Sequence, residues 1–257
     1  EWYVPALDAW EAVAPAEARY KLAVAVLDGK LYAVGGYDGD YFSSVERYDP
    51  ALDVWEVVAP MAEARYKLAV AVLDGKLYAV GGCNDDDGTL FSLERYDPAT
   101  NAWEAAAPIA SARDSHATAV LDGRLYAVGG SGGSDNDEAS LSSVERYDPA
   151  TNAWEAVAPM ATARLNHATA VLDGKLYAVG GYNGDYHLSS VERYDPALDA
   201  WEAVAPMATA RLNQRHGTLT PRLCSTASSM SQADWVPATT PCLGCVGSGG
   251  ADGRGAV

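Results

Sequence analysis

Residues 22–58 read LAVAVLDGKLYAVGGYDGDYFSSVERYDPALDVWEVV, a stretch built from four short apolar runs separated by turn residues. The first run alternates Ala with Val and ends in Asp-Gly at 28–29, a dipeptide typical of a tight hairpin. The second run ends in Gly-Gly at 35–36, the third precedes Asp-Pro at 49–50, and the fourth surrounds Trp55. This order predicts a four-stranded antiparallel meander.

The same pattern recurs along most of the chain. The repeated tryptophans are Trp10, Trp55, Trp103, Trp154 and Trp201, spaced by 45, 48, 51 and 47 residues. A four-stranded sheet cannot cover both of its faces alone, so successive copies must stack face to face. A period of this length with four strands fits the blades of a propeller.

Composition narrows the classes of function. The chain has 257 residues, 49% of them hydrophobic, and its net charge of −17 opposes binding to nucleic acid or to an anionic membrane surface. No uninterrupted apolar run approaches the roughly 18 residues of a membrane span. Four cysteines are too few for a disulfide framework, so a reducing, cytoplasmic location is expected. Because the chain starts at Glu1 and not at Met, we expect a fragment or a processed product.

The recurring runs Leu-Tyr-Ala-Val-Gly-Gly, Ser-Val-Glu-Arg-Tyr-Asp-Pro, Trp-Glu and Ala-Pro-Met resemble the kelch repeat over residues 1–213. The resemblance implies an all-β, kelch-type β-propeller. We expect four complete four-stranded blades and a partial blade, with a lone fourth strand around residues 10–13. The ring is then incomplete, and its open edges favour self-association. Residues 214–257 lack the repeat and are expected to form a separate, low-order tail.

The residues that recur in every copy have a structural interpretation. We expect the repeated tyrosines and tryptophans to pack between adjacent blades. The adjacent Glu and Arg of the third strand are interpreted as interblade ion pairs. They are Glu46-Arg47, Glu94-Arg95, Glu145-Arg146 and Glu192-Arg193.

Nearly all variation in length lies in one loop, between the second and third strands, where the second Gly of the pair is followed 12 to 17 residues later by the Tyr of Tyr-Asp-Pro. Because antiparallel strands alternate in direction, this loop lies on the same rim as the residues that open each first strand. Tyrosine-rich, adaptable loops suit recognition of a protein or peptide. The candidate partner-binding residues are Tyr20, Lys21, Tyr37, Tyr41, Tyr66, Lys67, Ser115, His116, Asn166, His167, Tyr182 and Tyr186.

An Arg also recurs before each first strand, at Arg19, Arg65, Arg113 and Arg164. Kelch propellers that this sequence resembles commonly contact peptides through this loop class and through the second residue after that Arg. The resemblance thus implies partner contacts by Lys21, Lys67, Ser115 and Asn166. It further implies a scaffold or a substrate receptor of a ubiquitin ligase. The acidic loops favour a basic or mixed-charge partner. The alternative interpretation is that these loops are merely solvated.

No catalytic residue, cofactor or metal site is predicted. The acidic run at 84–88 lacks the ligand spacing of a calcium loop and is interpreted as a solvated loop. His116 and His167, equivalent in successive repeats, are expected to share a packing role and not to bind a metal. A zinc site from His216, Cys224, Cys242 and Cys245 is less favoured than a flexible tail. The alternative function is a kelch-type propeller enzyme, either a metal-dependent oxidase or a sugar-processing enzyme.

Overall fold

A computed structural model of the chain describes residues 18–86, 88–132 and 139–212, together with the backbone of 2–4 and 9–11. All of these residues lie in one compact unit, Glu1–Thr218. Within them the secondary structure is entirely β-strand and turn, so the described part holds no helix that could cross a membrane. The division at residue 213 and the suggested zinc ligands lie at or beyond the end of the described residues and stay predictions.

Four antiparallel sheets follow one another along the chain, each with its strands paired in chain order. Blade 1 contains β3 (Ala23–Leu27), β4 (Lys30–Val34), β5 (Val45–Asp49) and β6 (Val54–Val58). Blade 2 contains β7 (Ala69–Leu73), β8 (Lys76–Val80), β11 (Leu93–Asp97) and β12 (Ala102–Ala106). Blade 3 contains β13 (Ala117–Leu121), β14 (Arg124–Val128), β17 (Val144–Asp148) and β18 (Ala153–Val157). Blade 4 contains β19 (Ala168–Leu172), β20 (Lys175–Val179), β21 (Val191–Asp195) and β22 (Ala200–Val204).

Two short hairpins extend the loops between the second and third strands. In blade 2, β9 (Cys83–Asn84) pairs with β10 (Gly88–Thr89). In blade 3, β15 (Ser131–Gly132) pairs with β16 (Ala139–Ser140). These hairpins occur in the two longest of the loops. The predicted kelch-type architecture of four complete blades is confirmed.

The N-terminal segment forms more than the predicted lone fourth strand. β1 (Trp2–Val4) pairs with β2 (Ala9–Glu11) and sets Tyr3 opposite Trp10. The complete blades use the same register, as in Tyr48 opposite Trp55. The prediction of one strand is therefore wrong, because residues 2–4 carry enough aromatic and β-branched character to form the third strand as well.

The recurring aromatic residues pack between blades, as predicted. The rings of Tyr32 in blade 1 and Tyr96 in blade 2 lie 5.9 Å apart in an edge-to-face arrangement. The indole of Trp103 donates a hydrogen bond of 2.9 Å to the carbonyl oxygen of Ala59 in the preceding linker. Side chains of both blades join in a continuous apolar core around Tyr96.

The ion pairs differ from the predicted ones. Glu94 of β11 pairs with Arg65, which precedes β7, at 2.5 Å. Both side chains of this pair are buried. Arg95 instead pairs with Glu104 on the adjacent outer strand of the same blade, near the surface. Adjacent residues in a strand point to opposite faces, so Glu and Arg neighbours cannot share one interblade contact.

Candidate partner-binding rim

One rim of the propeller carries the loops between second and third strands and the residues that open each first strand. In blade 1, Tyr20 and Tyr37 exchange backbone hydrogen bonds, each 3.0 Å long. The same two-way bridge joins Leu165 to Tyr182 in blade 4, at 2.9 Å in both directions. Equivalent bridges join Tyr66 to Cys83 and Asp114 to Ser131. The variable loops are therefore attached to the scaffold at the same point in every blade.

Four residues at the start of the first strands form a chain of hydrogen bonds, which we call the axial ring: Lys21, Lys67, Ser115 and Asn166. The N–H groups of Lys67, Ser115 and Asn166 each donate to the carbonyl oxygen of the preceding member, at 3.0, 3.0 and 2.9 Å. All four have a φ of 50–53°, in the left-handed region. For residues other than glycine this conformation costs about 1 kcal/mol, so the ring is held by its surroundings.

Blades 1 and 2 together present a tyrosine cluster, formed by Tyr20, Tyr37, Tyr41 and Tyr66. Tyr37 lies 5.3 Å from Tyr20 and 5.0 Å from Tyr41, measured between ring centroids. Tyr66 closes the cluster at 5.1 Å from Tyr41 and 5.9 Å from Tyr37. Edge-to-face packing of this kind fixes the rings, so they offer a rigid amphipathic surface.

Two cations of the axial ring lie against this cluster. The Nζ of Lys21 is 5.3 Å from the ring centroid of Tyr66 and 5.9 Å from that of Tyr20. The Nζ of Lys67 is also 5.3 Å from Tyr66, and 3.8 Å from Oδ1 of Asp114. These are cation–π distances. The ammonium groups are thus positioned at the rim by aromatic faces.

The hydroxyls of Tyr41 and Tyr66 stay protonated at neutral pH, because the pKa of each is raised. Tyr41 donates a hydrogen bond of 2.7 Å to Asp85 of the next blade, and this bond raises the pKa of Tyr41. Burial raises the pKa of Tyr66. Burial also raises the pKa of the Cys83 thiol to about 12, so Cys83 is not a thiolate nucleophile. The cluster therefore offers hydroxyl donors and neutral surface, with the acidic charge outside it.

Blade 4 contributes a second, separate group of aromatic residues. The hydroxyl of Tyr182 donates a hydrogen bond of 2.5 Å to the carbonyl oxygen of Gly184, and its ring lies 5.5 Å from that of His187. Tyr186 is 63% exposed on the same loop. The rim is consequently asymmetric. Blades 1 and 2 present the two lysines and four packed tyrosines, whereas blades 3 and 4 present Ser115, Asn166, Tyr182 and Tyr186 together with the acidic Asp114 and Asp185.

The two histidines of the predicted set lie in the interior. His116 is 7% exposed and His167 is 2% exposed. A Cβ built on Gly130 would lie 2.7 Å from Cβ of His116, and one built on Gly181 would lie 2.8 Å from Cβ of His167. The imidazoles fill the space that each Gly pair leaves between blades. Both histidines therefore have the predicted packing role, and neither is part of the surface that is open to a partner.

Three rim residues did not emerge from the sequence as site residues: Cys83, Asp85 and Asp114. They interact with Tyr66, Tyr41 and Lys67, which belong to other loops or blades. No spacing along the chain indicates such pairings. Among the described residues, no group of three His, Cys, Asp or Glu side chains is arranged to hold a metal ion.

Fold and rim together define an all-β propeller of kelch type. The chain belongs to the kelch-repeat family, because the family model described as KLHDC2/KLHL20/DRC7 Kelch-repeats domain matches residues 23–221. A solved structure titled "Structure of YjhT" has a similar fold, with a TM-score of 0.66 and 19% identity over 77% of this chain and 68% of that chain.

Two relatives illustrate how far the sequence similarity extends. The chain is 53% identical over 49 residues to the Influenza virus NS1A-binding protein homolog of Mus musculus, which is 19% of this chain and 8% of that protein. It is 50% identical over 44 residues to Kelch-like protein 7 of Homo sapiens, which is 17% of this chain and 8% of that protein. The matched segments thus span less than a tenth of either relative. Family membership and these relatives support a protein-interaction module.

Proposed function

We propose that the chain is a non-enzymatic binding module that holds a peptide or protein segment across the rim described above. The observation that carries the proposal is the juxtaposition of the axial ring with the tyrosine cluster. Tyrosine is enriched in interaction hot spots, and the two fixed ammonium groups beside the cluster add recognition of charge. The proposed contact residues are Tyr20, Lys21, Tyr37, Tyr41, Tyr66, Lys67, Ser115, Asn166, Tyr182 and Tyr186.

The arrangement of charge favours a partner of mixed charge. Lys21 and Lys67 lie at the inner end of the rim and suit an acidic side chain of the partner. Asp38, Asp40 and Asp86 are exposed on the outer loops and suit basic side chains. At physiological salt, screening limits such attraction to about 8 Å, so the loops select a partner locally and increase its association rate.

We also propose a finer assignment. Kelch-like relatives and the family resemblance support a scaffold, or a substrate receptor of a ubiquitin ligase, acting in the cytoplasm. A receptor of this kind requires a recruiting domain, and the proposal for this chain concerns substrate capture alone. Co-purification of a cullin with the chain is not expected unless such a domain accompanies it.

A displayed peptide library provides the test. The affinity of peptides selected on the wild-type chain is then measured for the double variant Lys21→Ser/Lys67→Ser. This variant keeps the local backbone, because Ser115 already has the same conformation in blade 3. The matched control is Lys30→Ser/Lys175→Ser, which removes two lysines paired with Asp49 and Asp195 at the opposite rim. We expect the rim variant to weaken binding at least tenfold, as loss of a hot spot does, and the control to leave it unchanged. Equal affinity of the two variants would contradict the proposal.

A further inference from the structure

The rim loop of blade 4 contains the one Asn-Gly dipeptide of the chain, at residues 183–184. The two ends of this loop meet in an antiparallel bridge between Tyr182 and His187. Gly184 is exposed, and among the described residues a Cβ built on it would have only the Oγ of Ser140 within 4 Å, at 3.7 Å. The dipeptide is therefore accessible to solvent, and Gly184 does not pack between blades.

The side chain of Asn183 folds back over the peptide bonds that follow it. Its Oδ1 accepts hydrogen bonds from the N–H groups of Asp185, at 3.0 Å, and Tyr186, at 2.9 Å. This is an Asx turn, in which a side-chain carbonyl takes the place of a backbone carbonyl. The two donors hold the side chain in one orientation and polarise its carbonyl group, so that Cγ becomes more electrophilic.

The backbone nitrogen of Gly184 can reach this Cγ by closing a five-membered ring. Glycine has no Cβ, so no side chain obstructs attack by this nitrogen. Within the described part of the chain the N–H of Gly184 donates no hydrogen bond, whereas its carbonyl oxygen accepts one of 2.5 Å from the hydroxyl of Tyr182. No hydrogen bond must therefore break before the nitrogen reacts.

We propose that Asn183 is a site of spontaneous deamidation in the folded protein. Hydroxide removes the proton of the Gly184 N–H, and the nitrogen attacks Cγ of Asn183 while the carbonyl electron pair moves onto Oδ1. The N–H groups of Asp185 and Tyr186 stabilise the negative charge on Oδ1. The Cγ–Nδ2 bond then breaks with its electron pair on Nδ2, which takes a proton from water and leaves as ammonia. A cyclic succinimide remains.

Water completes the reaction. It adds to either carbonyl carbon of the succinimide and opens the ring, which leaves aspartate or isoaspartate at position 183. The net reaction consumes one water molecule and releases one ammonia molecule, without an oxidant or a cofactor.

The loop of blade 1 supports the idea that the fold accommodates the aspartate product. Residues 37–41 read Tyr-Asp-Gly-Asp-Tyr, and residues 182–186 acquire the same sequence when Asn183 becomes aspartate. The glycines of both loops have a positive φ, +89° at Gly39 and +104° at Gly184. Isoaspartate differs, because its backbone is one carbon longer and the Asx turn is lost.

Both products change the charge of the rim. Each adds one negative charge beside Tyr186, which is 63% exposed. The modification therefore makes the blade 4 side of the rim more acidic. This inference goes beyond the proposed function and does not depend on it, so a failure of either leaves the other untouched.

Asn152 provides a comparison within the same molecule. Its Oδ1 also accepts two hydrogen bonds, from the N–H of Ala107 at 3.0 Å and from the hydroxyl of Tyr147 at 2.8 Å. The residue that follows, Ala153, has a Cβ and is the first residue of β18. Its nitrogen is held in the sheet and obstructed by its own side chain, so Asn152 should keep its amide.

Peptide mapping by mass spectrometry tests the proposal on the full chain, kept folded in a mildly alkaline buffer. The method detects the mass gain when an amide becomes a carboxylate, and chromatography separates aspartate from isoaspartate. We expect Asn183 to lose its amide at least about tenfold faster than Asn152, because only Asn183 combines a positioned carboxamide with an unhindered nitrogen. Equal rates at the two positions would overturn the proposal.

A pair of glycine variants tests the nucleophile. Gly184→Ala adds a Cβ beside the attacking nitrogen and should slow deamidation of Asn183 at least about tenfold. Gly39→Ala is the matched control, since it makes the same substitution at a positive φ in the loop of blade 1, and the rate at Asn183 should stay as in the wild type. Circular dichroism checks that both variants retain their β-structure. A wild-type rate in Gly184→Ala would exclude Gly184 as the nucleophile and overturn the proposal.

The contribution of the folded loop is measured with the same chain unfolded in urea at the same pH. Unfolding removes the Asx turn, so we expect deamidation of Asn183 to be no faster in urea than in the folded protein. A faster rate in urea would show that the loop protects Asn183, and it would overturn the proposal.

Discussion

Arg113 and Glu145 form an ion pair of 2.6 Å between Nη2 and Oε1, with the arginine side chain fully buried and the glutamate 4% exposed. Arg113 also donates to the carbonyl oxygens of Gly129 and Ser143, at 2.8 and 3.2 Å. Burial lowers the pKa of Arg113, and the charge of Glu145 opposes this effect. The pair therefore fixes the linker to its blade at the point from which the rim loop starts.

Removal of the Glu145 charge should lower the stability of the fold. In Glu145→Gln the buried guanidinium loses its counter-ion, and we expect the unfolding free energy to fall by about 3–5 kcal/mol. Glu155→Gln is the matched control, because Glu155 also pairs with an arginine but is 54% exposed, and should cost less than about 1 kcal/mol. Urea denaturation measures both. Similar losses for the two variants would contradict a special role of the buried pair.

The Gly pairs create a second constraint, which Gly129 illustrates. A Cβ at Gly129 would lie 2.4 Å from the carbonyl oxygen of Arg164, and its φ is +56°. We expect Gly129→Ala to lower the unfolding free energy by at least about 3 kcal/mol, because a backbone clash adds to the left-handed strain.

The control for this substitution is Gly123→Ala. Gly123 has a φ of +69° and nothing within 4 Å of its Cβ position, so only the strain of about 1 kcal/mol applies. The unfolding free energies of the two variants, measured by thermal and urea denaturation, separate the effect of the clash from that of the backbone strain. Equal destabilisation would mean that the blades separate easily at the Gly pair.

Much of the fold was predictable because each strand boundary has its own residue signal. The Asp-Gly turn after β3 and the Gly pair after β4 fall where the structure places them. The two-stranded N-terminal hairpin was missed because Tyr3-Val4-Pro5 is a degenerate copy of the repeat. The ion pairs were also misassigned, since a strand residue's partner depends on which face it occupies in three dimensions.

The site was only partly predictable. The kelch resemblance and the position before each first strand pointed to Lys21, Lys67, Ser115 and Asn166, but not to the hydrogen-bonded chain that their backbones form with positive φ. Lysine and serine have little preference for that conformation, so no propensity indicates it. The contact of Tyr41 with Asp85 joins loops 44 residues apart, a distance over which sequence patterns carry no signal.

His167 makes stability depend on pH. Burial lowers the pKa of His167 to about 3 from its ordinary 6.5, so the folded protein holds the neutral imidazole while the unfolded chain binds a proton below pH 6.5. The unfolded state thus binds more protons as pH falls, and the stabilisation present above pH 6.5 is lost towards pH 3. Between pH 7 and 5 we expect a loss of about 2 kcal/mol from this residue.

Unfolding curves of His167→Leu across the same pH range check this expectation. The variant should lose about 2 kcal/mol less than the wild type between pH 7 and 5, whatever its stability at pH 7. If His167→Leu has the wild-type pH slope, His167 titrates normally and is not held neutral by the fold.

The axial ring gives the last prediction, at Ser115. Its N–H donates to Lys67 at 3.0 Å and its carbonyl oxygen accepts from Asn166 at 2.9 Å, with a φ of 52°. Ser115→Gly removes the left-handed strain but gains chain entropy in the unfolded state, so the two effects of about 1 kcal/mol nearly cancel. Ser115→Val places a β-branched side chain in the left-handed region and should cost about 1–2 kcal/mol more than Ser115→Gly. Urea denaturation compares the two variants, and hydrogen exchange at the amide of Asn166 should be faster in Ser115→Val. A valine variant as stable and as protected as the glycine variant would show that the ring relaxes without cost, and that its positive φ values are not enforced by the propeller.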